Sequence, residues 1–241
     1  MLKKGVIKLW KWGKRIFLFI FIFHLIYIVL LKWMNPPITI TQLSSFIKGD
    51  GLKRDYISSK NISYNAKLAV IAAEDQLFPD HKGFDWKSIK KAMAYNKKKP
   101  NRIRGASTIS QQVAKNVFLW QGRSWIRKGL EVYFTFMIET VWGKRRILGV
   151  YLNVIEMGKG VYGIEAAAQT YFNKPAKNLN RAEAAMIAGC LPNPKKYKVK
   201  PISGYVSQKY PWVLQQMNNL EDDPDIQQIL LSKKENNHSE K

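Results

Sequence analysis

The 241-residue sequence predicts a mainly α-helical domain behind one N-terminal membrane-spanning helix. Three observations lead there. Apolar residues recur at helical spacing through most of the chain after Lys67, strand signals are few, and one long apolar run near the N-terminus is flanked by basic residues. Hydrophobic residues, at 46%, supply a sizeable core and exclude a wholly disordered chain. The single cysteine, Cys190, excludes an internal disulfide framework and a multi-cysteine zinc site. A net charge of +23 points to an anionic partner: nucleic acid, a membrane surface or a phosphate-bearing substrate.

The apolar run, Ile16 to Leu31, is sixteen residues long and interrupted only by His24 and Tyr27. As a helix it covers about 24 Å, slightly short of a hydrocarbon core of about 30 Å. Arg15 and Lys32 can reach outward from its ends, and Trp10, Trp12 and Trp33 suit the two interfaces. Six basic residues precede the run and one follows directly, with no acid in the first 35 residues. The positive-inside rule then places the N-terminus in the cytoplasm and everything after Asn35 outside the cytoplasmic (inner) membrane. A cleaved signal peptide competes with this reading, but no small-x-small site follows Leu31. The expectation is an uncleaved single-pass anchor, in which His24 is a tolerated polar residue without a function. No nucleic-acid-binding signature is present, so the basic surplus is assigned to anionic lipid or a phosphorylated lipid, with no nucleic acid as partner.

The chain divides by composition into a basic cytoplasmic segment (1–15), an anchor (16–34), a stalk or linker (35–64), a domain (65–225) and a polar tail (226–241). Pro36-Pro37 ends the span, and the stalk contains a short β-prone stretch, Ile38-Thr-Ile-Thr. A helix runs from Lys67 to Glu74-Asp75, with Leu68, Ile71 and Ala72 on one face. Asp85 caps a second, with Trp86, Ile89 and Met93 on one side and Lys87, Lys90 and Lys91 on the others. That basic amphipathic helix fits a membrane surface or an ordinary packed surface equally well. Thr108-x-x-Gln111 is a capping-box pattern opening a helix over 108–118. A longer helix starts near Ser124, with Ile126, Leu130, Phe134, Met137 and Val141 at helical spacing. Residues 145–153, 164–171 and 181–190 also read as helical, and 232–241 as a disordered end.

Acids are scarce, so those in apolar or basic settings stand out. Glu74 follows Ala-Val-Ile-Ala-Ala, where desolvation raises a carboxylate pKa and suits it to acid–base work. Taken alone, it reads better as an exposed helix-end acid. Glu131 lies one helical turn beyond Arg127 and Lys128, with Arg123 a turn earlier. This is a plain helical ion pair, or a carboxylate set in a cationic cluster able to hold a pyrophosphate. Gln111 and Lys115 add donors one turn apart, and such a row fits an oxyanion-rich ligand or a solvated basic face. No HExxH, P-loop or dinucleotide fingerprint occurs, and Ser107 and Ser110 lack a histidine partner in the sequence pattern.

Six ordered segments carry a family resemblance. Glu74-Asp75-x-x-Phe78-x-x-His81-x-Gly83 resembles the ED-x-x-F-x-x-H-x-G motif of peptidoglycan glycosyltransferases. Arg104-Gly105-Ala-Ser107-Thr108-Ile109-Ser-Gln111-Gln112-Val-Ala-Lys115-Asn116 resembles their G-x-STI-x-QQ-x-x-KN motif, and Arg127-Lys128-x-x-Glu131 their R-K-x-x-E. Ile147-Leu148-x-x-Tyr151-Leu152-Asn153, the segment from Gly160 to Ala168 and that from Ala182 to Gly189 match later ones. Together they cover half the chain. The monofunctional, single-pass subfamily fits best, because no transpeptidase domain could follow residue 200. Many relatives carry Glu where this chain has Gly149.

The resemblance implies a lysozyme-like, mainly α fold with a membrane-facing small lobe, and polymerisation of lipid II with inversion at C1 of the donor MurNAc. By the same token Glu74 and Glu131 are the catalytic residues. Asp75, Phe78, His81, Arg104, Ser107, Thr108, Gln111, Gln112, Lys115, Arg123, Arg127 and Lys128 bind substrate. No cofactor is obligatory, and the family pattern accommodates a divalent cation (Mg or Mn) near Glu131 through the pyrophosphate. The implied partners are lipid II, the growing lipid-linked glycan chain, the membrane and cell-wall synthesis or division proteins. A lytic transglycosylase or muramidase on the same fold and a non-catalytic lipid II-binding scaffold are the alternatives; the row of basic donors favours synthesis.

Overall fold

The structure, a computed structural model, describes residues 2–100, 104–122 and 124–231. Helix α1 (Leu2–Leu30) is 29 residues long, and its stretch Trp10–Leu30 is long and apolar enough to cross a membrane. At about 32 Å those 21 residues match a hydrocarbon core, because the helix runs unbroken through Trp10 and Trp12. Its side chains are mostly bare, while Ile28 and Leu31 at its exit are buried against the rest of the chain.

Residues 35–64 are not a free stalk. Helix α2 (Ile40–Ile47) occupies the β-prone stretch and packs on α5 (Ile109–Phe118). A capping box overrides the alternating apolar pattern: Thr39 Oγ1 accepts from the Gln42 N–H, and Gln42 Oε1 accepts from the Thr39 N–H. Strand β1 (Lys53–Arg54) then pairs in parallel with β3 (Val161–Tyr162), which pairs antiparallel with β2 (Glu156–Gly158) across a bulge. This small sheet, ordered β1-β3-β2, is all the strand structure among the described residues.

The remaining helices form the domain. α3 (Tyr64–Glu74) begins three residues before Lys67, because the Ser63 side chain accepts from the Ala66 N–H and caps it. α4 (Trp86–Lys98) is capped by Asp85 as expected and buries none of its residues fully. α6 (Trp125–Val141) and α7 (Lys144–Val154) follow α5, then α8 (Ile164–Phe172), α9 (Arg181–Cys190) and α10 (Gly204–Leu220). α9 packs on both α3 and α10, and α5 packs on both α6 and α7. Leu68, Ile71, Phe78, Ile147, Tyr151 and Leu152 are fully buried in one continuous core.

Ordered structure extends past residue 225. Helix α11 (Pro224–Leu230) is capped by Asp223 and buries Ile226 and Leu230, each burial stabilising by about 1.5–3 kcal/mol. The tail drawn from 226 therefore starts too early, and its last part, 232–241, lies outside the described residues.

Gly149 sits mid-helix in α7 at an ordinary backbone conformation, and an added Cβ would meet only Ser59 Cβ at 3.8 Å. Gly149→Ala is expected to stabilise the fold by about 0.5–1 kcal/mol, read as a rise in thermal midpoint. Gly163 is the contrasting case. It has φ +84°, and a Cβ there would stand 2.6 Å from the Asn153 carbonyl oxygen.

Candidate functional site

A cleft of about 890 Å³ opens between the end of α3, α4 and the start of α5. Glu74, Asp75, Ser88, Lys91, Arg104, Ser107, Thr108 and Gln112 are among its lining residues. A second hollow of about 360 Å³ continues from it past Gln112 and Pro192, and includes Thr41, Lys48, Lys115, Asn116, Glu156 and Lys195.

Glu74 is the last residue of α3, so its carboxylate leaves the apolar core at the cleft. Its Oε2 accepts from Gln112 Nε2 at 2.7 Å. Gln112 Oε1 accepts in turn from the Tyr151 hydroxyl at 3.1 Å, which fixes the amide's orientation. Burial pushes the Glu74 pKa up; the Gln112 hydrogen bond and the charges of Lys209 and Lys115 oppose it, while Asp75 reinforces it. Burial also drives Tyr151 well above the usual phenol range, so that hydroxyl stays protonated and donates. The carboxylate is thus a stronger base than an exposed one, held by a single neutral donor.

Asp75 has a different task. It is buried and accepts from His81 Nε2 at 2.9 Å and from the Ile109 N–H at 2.9 Å. His81 Nδ1 accepts from the Gly83 N–H, which leaves its proton on Nε2 for Asp75. One carboxylate thereby ties the end of α3 to the 75–83 turn and the start of α5. Thr108 and Gln111 form the expected capping box, and Thr108 Oγ1 also donates to the Gly83 carbonyl at 2.7 Å. Phe78 is fully buried. Of the residues the sequence assigned to substrate, Asp75, Phe78, His81, Thr108 and Gln111 build the frame. Arg104 and Ser107 face the cleft mouth, with the Arg104 guanidinium over the Tyr95 ring at 3.9 Å.

Part of the expected donor row comes together around Glu131, without Gln111, which is engaged in the capping box. Glu131 on α6 is buried; its Oε2 takes Arg127 Nη1 at 2.7 Å and its Oε1 takes Lys128 Nζ at 2.5 Å. Arg127 Nε is buried without an acceptor among the described residues. Lys115, from the facing side of α5, has its pKa lowered chiefly by burial and further by Arg127 and Lys128, with Glu131 opposing. Two helices therefore hold three cations around one carboxylate, a partly buried positive surplus that attracts an anion. Arg123 lies outside the described residues. Among the described residues no group of three or more His, Cys, Asp or Glu could hold a metal. Both Glu131 oxygens are already engaged, so the donor set does not build a resident metal site.

Lys209 is the residue sequence reasoning missed. It projects from α10, far along the chain, and its charge acts on Glu74; burial lowers its own pKa. Its Nζ lies 3.3 Å from the centre of the Trp212 ring. No local pattern ties it to Glu74, because only the packing of α10 near α3 brings the two together.

Residues 40–218 match the Transglycosylase family model. The chain is 60% identical over 174 residues to the biosynthetic peptidoglycan transglycosylases of Shigella boydii serotype 4 and of Escherichia coli strains ATCC 8739 and K12 / DH10B. Each alignment covers 72% of this chain and 72% of the relative. The matched span begins at the start of α2, inside the 35–64 segment that composition marks as a stalk or linker.

Proposed function

The chain belongs to the transglycosylase family, whose domain is lysozyme-like, and from that premise we propose that it polymerises lipid II into peptidoglycan glycan strands. Glu74 takes the proton from the acceptor's GlcNAc 4-hydroxyl. The freed oxygen attacks C1 of the donor MurNAc, the C1–O bond to pyrophosphate breaks, and undecaprenyl pyrophosphate leaves with its electron pair. One displacement inverts the anomeric centre, so no glycosyl-enzyme forms. Lys115, Arg127 and Lys128 stabilise negative charge growing on the leaving pyrophosphate, and Glu131 holds the latter two in place.

The observation that carries this reading is the pairing of one basic carboxylate at the cleft with a separate, partly buried cationic row on α5 and α6. A glycan-cleaving enzyme needs a carboxyl of raised pKa too, and Glu74 supplies one. It has no use for a pyrophosphate cradle, which favours synthesis.

The chain is read as a single-pass protein of the cytoplasmic (inner) membrane, N-terminus inside and domain outside. Exposed Trp86 and Met93 on α4, and Trp125, Ile126 and Phe136 on α6, support a small lobe that faces the lipid. The test uses full-length protein and fluorescent lipid II in detergent. A product ladder that muramidase digests is the expected result. Cleavage of preformed glycan without a ladder would move the assignment to a lytic enzyme, and neither activity with lipid II still bound would move it to a scaffold.

A further inference from the structure

The membrane helix carries a polar contact that the glycosyltransferase reading leaves unused. His24 lies within the span Trp10–Leu30, six residues before its end and so about 9 Å into the apolar stretch. A polar side chain at that depth is costly without a partner. Its Nε2 meets the Tyr133 hydroxyl at 2.7 Å, and its Nδ1 meets the Ile20 carbonyl of its own helix at 3.4 Å. The pattern fits a neutral ring that donates from Nδ1 and accepts the Tyr133 proton at Nε2.

Tyr133 stands on α6, two residues after Glu131. The surrounding contacts reach the other helix of the row as well. The Tyr27 ring meets the edge of Phe118, the last residue of α5, and Phe118 stacks on Phe134 of α6 at 4.6 Å. The Trp142 indole donates to the Ile28 carbonyl at 2.8 Å, and Arg146 donates to the Leu31 and Met34 carbonyls. Aromatic and aliphatic packing permits sliding, whereas hydrogen bonds are directional. Those at Ile28, Leu31 and Met34 hold the exit of the helix, and the His24–Tyr133 bond adds a fixed point deeper in the apolar stretch, selecting one depth and one rotation there.

We infer that His24 and Tyr133 form a polar latch within the membrane that fixes the anchor against α5 and α6, and so holds the cationic row at the depth of the donor's pyrophosphate. The consequence for the donor rests on the glycosyltransferase reading; the latch itself does not. His24 and Tyr133 are then positioning residues.

The test uses full-length protein in bilayer nanodiscs containing lipid II. His24→Leu and Tyr133→Phe are each expected to raise KM for lipid II about threefold to tenfold, with kcat within about twofold of the parent because the latch does not touch the reacting atoms. The double variant should be no worse than either single one. His24→Gln, which keeps an acceptor, should recover most of the loss. A second readout is independent of catalysis. Spin labels on Phe23→Cys and Phe136→Cys, both exposed, should give a narrow distance distribution that broadens when His24→Leu is added. The native Cys190 is buried with its thiol pushed up to about 12, so it does not compete for label. Unchanged KM in both single variants, additive losses in the double, or an unbroadened distribution would each overturn the latch. Parent protein that makes no polymer would instead overturn the glycosyltransferase reading, and the label distances would then decide the latch alone.

Discussion

Glu74→Gln is expected to lower glycan synthesis by about a hundred- to ten-thousandfold, the usual contribution of a general base, while lipid II binding persists. The amide preserves shape and can still meet Gln112, but it cannot take a proton. Its effect on stability has the opposite sign. In the fold the Glu74 pKa is raised, chiefly by burial, so the native state holds the proton more tightly than the unfolded chain. Native stability therefore falls as pH climbs from the ordinary value of 4.5 through the raised one, and the penalty persists at neutral pH. Removing the charge lifts that penalty, so the thermal midpoint of Glu74→Gln at pH 7 should equal or exceed the parent's. The parent's kcat/KM should lose activity on acidification through a pKa above 4.5. Substantial polymer from the variant would remove Glu74 from the base role, and a midpoint several degrees lower would overturn the burial penalty on its charge.

Lys115→Ala should reduce kcat/KM for chain elongation by about a hundred- to a thousandfold, the scale seen when one donor to a developing oxyanion is lost. Arg127 and Lys128 only partly make up for it, because Glu131 neutralises part of their charge. The Lys115 pKa is lowered by burial, so its charge opposes folding below that pKa, and stability rises as pH climbs through it. The variant should accordingly fold normally at neutral pH. Donor kinetics like the parent's, from a folded variant, would defeat the assignment of this row to pyrophosphate.

Helices with strong caps were legible from the sequence. Asp85, Thr108 and Ser124 each mark a start that the structure places at the next residue, because a cap is a local hydrogen bond and needs no tertiary information. The Thr39–Gln42 box is equally local, yet the alternating isoleucines beside it read as a strand. α11 escapes the sequence pattern because it is only seven residues long, and its apolar Ile226, Ile229 and Leu230 gain their value from a distant core. In the site, Glu74 and the Arg127–Lys128–Glu131 cluster could be found by spacing and context. The division of labour among the motif residues could not. Asp75 and Glu74 are adjacent in sequence, but one is directed into the protein and the other into the cleft, and only the fold separates them.

The docked anchor bears on how inhibitors would be sought. A fragment starting after the membrane helix loses the residues that cover Phe118, Phe134 and Trp142. Its surface then exposes aromatic side chains that the intact molecule covers, a shallow trough for small apolar molecules if the neighbouring side chains keep their places. Small hydrophobic compounds would settle there, and a screen on such a fragment would count them as hits although the site does not exist in the cell. Screening should begin with the complete chain, and a hit from the fragment that loses affinity on the complete chain should be discarded as a ligand of the trough.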